Sequence, residues 1–141
     1  MPESDVGGPD ADLDARGPAA EQLARIETAR LVRDDRQALV VTVAGEIDVL
    51  TVPRLRAAVA AGFDQLHDGE VLVIDLTEVT FLGSPGLAAL VDVTQAARQR
   101  REPLRIVVDH TRPVIRPIEL TGLDDLLALF TTVEDALQPA P

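Results

Sequence analysis

The sequence predicts an α/β protein: a single domain in which a mixed sheet of four to five strands carries helices packed on it, behind a disordered acidic N-terminal tail. Three observations predict this. "VLVIDL" (71–76) is a continuous apolar run bounded by turn signals, as a central strand covered on both faces should read. Runs rich in β-formers, "ALVVTVA" (38–44) and "LRIVV" (104–108), lie on either side of it in the chain. Between these runs, apolar residues recur at helical spacing, and strands alternating with helices make a sheet with helix cover.

Residues 1–22 are rich in Gly, Pro, Asp and Ala, with six acidic residues against one Arg. Such a segment cannot offset its ordering entropy and is expected to be a disordered tail, leaving residues 23–138 as the domain. A first strand is expected over Ile26–Arg33, with a turn at Asp34-Asp35 leading into a second over Ala38–Ala44. So short a turn makes the two an antiparallel hairpin, and Gly45 is expected to end the second strand. Thr51 then suits a helix N-cap and Pro53 the first turn, with Leu55, Val59, Gly62 and Leu66 forming the apolar stripe.

"HDGE" (67–70) breaks the chain before the central strand. The next helix should run from Ser84 to about Arg101, with Leu87, Leu90, Val91, Thr94 and Ala97 on one side. After the strand at 104–108, Pro113 and Pro117 stand four apart. A proline in a helix interior costs about 3 kcal/mol, so this helix is expected to begin late, near Ile115. Gly122 suits the position just past its end. "LLALF" (126–130) reads as an edge strand, and Thr132 with "VEDAL" as the start of a closing helix.

Composition excludes several function classes. The chain has no cysteine, so disulfide and thiolate chemistry are absent. The net charge of −11 argues against direct nucleic-acid binding, since phosphates select basic surfaces. All 13 basic residues are Arg, so no Lys-dependent phosphate loop exists. No run of about 18 apolar residues could enter a membrane. The N-terminus lacks a secretory pattern, which makes a cytoplasmic location the expectation. His67 and His110 have no neighbours at metal-ligand spacing, and no nucleophile elbow surrounds Ser84. Neither an enzyme, nor a metal site, nor a cofactor is expected.

"FLGSPGLAAL" (81–90) holds the candidate site. A residue before proline is pushed out of the α region, and an N-cap needs that same backbone, so Ser84 reads as the N-cap with Pro85 as the first helical residue. In the plainest reading Ser84 caps the helix, worth about 1 kcal/mol, and does nothing else. The alternative uses the same geometry. A hydroxyl there stands at the rim of the sheet, and a phosphate on it would meet free backbone N–H groups and the positive end of the helix dipole. It would add about −1.5 to −2 charges at one spot without melting the helix.

The chain resembles the STAS-domain family of anti-sigma factor antagonists (anti-anti-sigma factors) over residues 23 to about 138. Four stretches carry the resemblance, in order: "VAGEIDVLTVPRLRAAV", "VLVIDLTEVTFLGSPGLAAL", "IELTGLDDLLALF" and "TTVEDAL". The resemblance implies a STAS-like domain that binds an anti-sigma factor with a kinase-type ATP fold and so releases a sigma factor. It also implies that phosphorylation of Ser84 by that partner ends binding and that a phosphatase restores it. The implied contact residues are Asp48, Gly83, Ser84, Pro85, Gly86, Leu87 and Leu90. At two positions the chain departs from the family's pattern: Gly83 stands where Asp is usual, and Pro85 where a small residue is usual. Two rivals are a STAS-like accessory subunit that binds the ATPase of a membrane transporter, and a nucleotide-binding domain.

Overall fold

The computed structural model describes residues 23–138, so the expected tail (1–22) lies outside the described residues. Five strands form one sheet in chain order: β1 (Ala24–Arg33), β2 (Arg36–Ile47), β3 (Val71–Leu82), β4 (Leu104–Val107) and β5 (Leu129–Phe130). β1 pairs antiparallel with β2 across the Asp34-Asp35 turn, and β2, β3, β4 and β5 pair parallel in succession. Parallel neighbours need crossover connections. These are α1 (Val52–Gln65) between β2 and β3 and α2 (Ser84–Arg100) between β3 and β4. The last crossover holds a 3₁₀ turn (Pro113–Ile115), α3 (Arg116–Leu120) and a second 3₁₀ turn (Leu123–Asp125). A short α4 (Val133–Ala136) closes the domain.

Strand alternation divides the core. Leu39, Val41, Leu72, Ile74, Ile106 and Val108 face one way, into a cluster shared with Leu55 and Val59 of α1, Leu90 and Val93 of α2, and Ile118 of α3. Ala38, Val40, Val73 and Val107 face the other way, against Ala136 and Leu137. Covered on both sides, the 71–76 run is apolar without alternation. Each fully buried Leu, Ile or Val contributes about 1.5–3 kcal/mol, so the larger cluster is the main source of stability. Among the described residues, one buried side-chain polar atom lacks a partner: Oγ1 of Thr94, on the core side of α2. Thr94→Val keeps the shape and removes that atom, and is expected to raise stability by about 1 kcal/mol in urea titration.

Several boundaries differ from the sequence expectations. Gly45 does not end β2; with φ +100° it carries the strand on to Ile47. β3 likewise continues six residues beyond Leu76. Its register against β2 slips twice, between Thr42 and Ala44 and between Gly45 and Glu46, with the additional residue on β3 each time. These are β-bulges, and they interrupt the alternation by which a strand is recognised in sequence. At the first, Asp75 Oδ1 accepts from the Thr77 amide at 2.9 Å and its hydroxyl at 2.8 Å. β5 occupies only the last two residues of the 126–130 segment.

The proline-spaced segment starts as a 3₁₀ turn and becomes α-helical at Arg116, one residue after Ile115. Gly122 takes the left-handed conformation just after that helix, at φ +74°. Thr132 caps α4 as its spacing predicts, its side chain accepting from the Asp135 amide at 3.0 Å.

Candidate functional site

The ends of β2 and β3 and the starts of α1 and α2 meet at one rim. Beyond the register slip beside Gly45, Ile47 is buried and the half-buried Asp48 lies against Gly83 at the start of α2. A hydrogen bond joins the end of β2 to the start of α2: the Gly83 amide donates to the Ile47 carbonyl at 2.9 Å.

Gly83, not Ser84, is the N-cap of α2. Its backbone is extended (φ −85°, ψ 174°), and its carbonyl accepts the first intrahelical bond, from Leu87 N at 3.0 Å. Ser84 is the first helical residue and Pro85 the second. Proline's bias against a helical predecessor yields here to the close fit of α2 on β2, a tertiary constraint that the local rule does not contain. Ser84 is therefore not a side-chain cap; it is exposed, and among the described residues its hydroxyl has no hydrogen-bond partner. Of the first N–H groups, that of Gly83 is satisfied and Pro85 has none. The Ser84 and Gly86 amides remain, among the described residues, without a partner inside the helix, as first-turn amides do.

The glycines show how tight the rim is. A Cβ at Gly86 would lie 2.7 Å from both Ile47 Cγ2 and Leu82 Cδ1 and 3.1 Å from the Ile47 carbonyl oxygen. Only a residue without a side chain lets α2 pack this near β2. A Cβ at Gly83 would stand 2.7 Å from Asp48 Oδ1 and 3.2 Å from Phe81 Cε2. The carboxylate and the aromatic ring therefore close in over Gly83, the residue before Ser84. A side chain at position 83 would need the space that the Asp48 carboxylate occupies.

Thr51 occupies the N-cap position of α1, yet its hydroxyl does not cap the helix. Buried to 1% exposure, it donates to the Glu46 carbonyl at 2.8 Å and accepts from the Asp48 amide at 2.9 Å. Asp48 O accepts from the Thr51 and Val52 amides, both at 2.9 Å, so the Asp48 backbone anchors the start of α1.

Of the seven contact residues expected from the sequence, Asp48, Gly83, Pro85 and Leu87 are half-buried and Ser84 is exposed. Gly86 is buried, and its part is the close packing just described. Leu90 is at 0% exposure, wholly inside the core, and offers no surface to a partner. It faces the sheet because it lies one turn beyond Gly86 on the packed side of α2. Three residues absent from that expectation stand out instead: Val49, Leu50 and Phe81, exposed to 67%, 46% and 47%. Val49 and Leu50 follow Asp48 directly and Phe81 lies beside Gly83, so apolar surface adjoins the rim. In the sequence, "DVL" and "TFL" offered the signal of large apolar residues next to turns, but nothing local shows that they face outward.

Among the described residues no group of three His, Asp or Glu side chains could hold a metal ion, and no helix is long and apolar enough to cross a membrane. His67 and His110 are both exposed and far apart in the chain.

Known proteins share the fold of this chain. The family model of the STAS domain matches residues 29–136. The anti-sigma-F factor antagonist RsfB of Mycobacterium tuberculosis is 38% identical over 106 residues, 75% of this chain and 84% of the relative. The anti-sigma-B factor antagonist of Listeria monocytogenes is 38% identical over 87 residues, 62% of this chain and 74% of the relative. The crystal structure of an anti-sigma factor antagonist from Mycobacterium paratuberculosis superposes with a TM-score of 0.65 at 38% identity, covering 80% of this chain and 92% of that one.

Proposed function

The chain belongs to the STAS domain family, and from that membership we propose that it is an anti-sigma factor antagonist. It binds an anti-sigma factor with a kinase-type ATP fold and so frees a sigma factor. Phosphorylation of Ser84 ends the binding, and a phosphatase restores it. The contact surface is the rim around Asp48 and Ser84, with Val49, Leu50, Phe81 and Leu87 as its apolar part. The protein acts in the cytoplasm as a binding module and as a kinase substrate, and performs no chemistry of its own.

The observation that carries this reading is the state of Ser84: an exposed, unengaged hydroxyl on the first residue of α2, within a rim of exposed apolar side chains. A solvent-facing patch of that kind is typical of a protein-binding surface. A phosphate at its centre introduces a charge that a partner closing over Val49 and Phe81 would have to desolvate, which is costly. Because the added oxygens meet the free amides of the first turn and the helix dipole, the fold tolerates the modification.

The test is a pull-down from the lysate of the source organism with wild type, Ser84→Ala and Ser84→Glu as baits, read by mass spectrometry. A kinase-fold regulator is expected with the first two and at least about tenfold less of it with the third, while the melting temperatures of all three stay close. Equal retention by all three baits would show that charge at Ser84 is not the switch. Capture of a transporter ATPase in its place would overturn the assignment of partner.

A further inference from the structure

We propose that Gly83 is a seat for the Asp48 carboxylate, and that a charge placed on Ser84 expels Asp48 from it, so that modification is read out in the exposed Val49–Leu50 loop. This rests on the reading of Ser84 as the modified residue and says how the rim responds.

The contact at Gly83 is steric in origin. With no Cβ there, Asp48 Oδ1 occupies the space that one would need, 2.7 Å from its position. Among the described residues, no hydrogen bond or ion pair anchors that carboxylate, which packs against Gly83. Consecutive Cα atoms are about 3.8 Å apart, which puts Oδ1 within about 8 Å of the Ser84 Cα. That is no more than about one Debye length at physiological salt, and the half-buried rim screens less than open solvent does. A phosphate of about −1.5 to −2 charges on Ser84 therefore acts directly on Asp48.

The Asp48 backbone cannot follow its side chain without consequence. Its amide donates to Thr51 Oγ1 and its carbonyl accepts from the Thr51 and Val52 amides, all at 2.9 Å. Val49 and Leu50 lie inside this bonded turn, exposed, and are the residues free to move when Asp48 turns away from Gly83. Position 83 thus has a defined role: any side chain there would empty the seat by steric exclusion, as a charge on Ser84 does by repulsion.

Amide NMR spectra of the full chain test this without a partner. Ser84→Glu is expected to shift the Asp48, Val49 and Leu50 resonances and to speed exchange of the Asp48 amide roughly tenfold, as local protection is lost. Gly83→Ala should move the same resonances with no charge added. In an Asp48→Ala background, Ser84→Glu should leave Val49 and Leu50 where that background places them. The proposal is overturned if Ser84→Glu perturbs only residues 83–88, or if its effect on Val49 and Leu50 persists without the Asp48 carboxylate. Should Gly83→Ala fail to fold, the comparison of Ser84→Glu with and without Asp48 still decides the outcome. A pull-down that returned no anti-sigma factor would overturn the functional reading and leave this result intact.

Discussion

Replacing Gly45 by alanine is expected to cost the fold about 3 kcal/mol or more, a large effect for a single methyl group. Two causes act together. The backbone has φ +100°, a conformation that L side chains rarely adopt and that costs about 1–3 kcal/mol without glycine. The added Cβ would also stand 2.1 Å from the carbonyl oxygen of Leu23, a backbone atom that no rotamer change can move aside. Gly45 faces Ala24 on β1 and Val79 on β3, so relieving the clash would part β2 from a neighbour. In thermal denaturation the midpoint should fall by more than about 10 °C, since 1 kcal/mol corresponds to roughly 4 °C in a domain near this size. A fall of only one or two degrees would mean that this part of β2 can be rebuilt without glycine. Because β2 runs from Gly45 through Ile47 to Asp48, the variant should also disturb the rim before it unfolds.

Glu70→Gln is expected to destabilise by about 2 kcal/mol at neutral pH, the scale of charge-assisted hydrogen bonds lost by a buried group. The Glu70 side chain is fully buried where the chain leaves α1 and enters β3. It accepts from Arg30 Nε at 2.6 Å, from Arg30 Nη2 at 3.1 Å and from the His67 amide at 2.8 Å. Arg30 in turn donates to the Gln65 carbonyl at 2.8 Å, so this pair ties β1, the end of α1 and the start of β3 together. The Arg30 guanidinium holds the Glu70 carboxyl below the usual glutamate range, outweighing burial, which acts the other way.

A folded-state pKa below the unfolded one means that ionised Glu70 adds stability that is fully present above about pH 4.5 and is lost as pH falls through the folded value. The difference in unfolding free energy between wild type and Glu70→Gln should therefore be flat through neutral pH and shrink below pH 4.5. A difference that persists unchanged into strong acid would show that Glu70 acts through shape and not through charge.

How far the site could be read in advance follows from the range of the interactions involved. Ser84 was legible as a candidate because Gly and Pro mark the turn that carries it, and Asp48 through the resemblance to the STAS-domain family. Their surroundings were not. Leu90 was placed by its spacing on the apolar side of the helix and by the resemblance among the contact residues, and helix packing puts it wholly in the core. Phe81 has the type of a core residue, and a bulge at Thr80 turns it outward. A one-residue slip moves every later side chain to the opposite face, and the register of β3 is set by its pairing with β2, which no short stretch of sequence contains.

The amino-acid sequence by itself determined the alternation of strands and helices, the β1–β2 turn, the central place of the 71–76 run, the late start of α3 and the Thr132 cap. Each of these follows from apolar periodicity or from the backbone limits of one or two residues. Only the tertiary structure decided how far β2 and β3 extend, that Gly83 and not Ser84 caps α2, that Thr51 bonds backward to Glu46, and that Asp48 rests against Gly83. In all four, the groups that meet are distant in the chain or compete with a local preference, and the energy of bringing them together exceeds the preference it overrides.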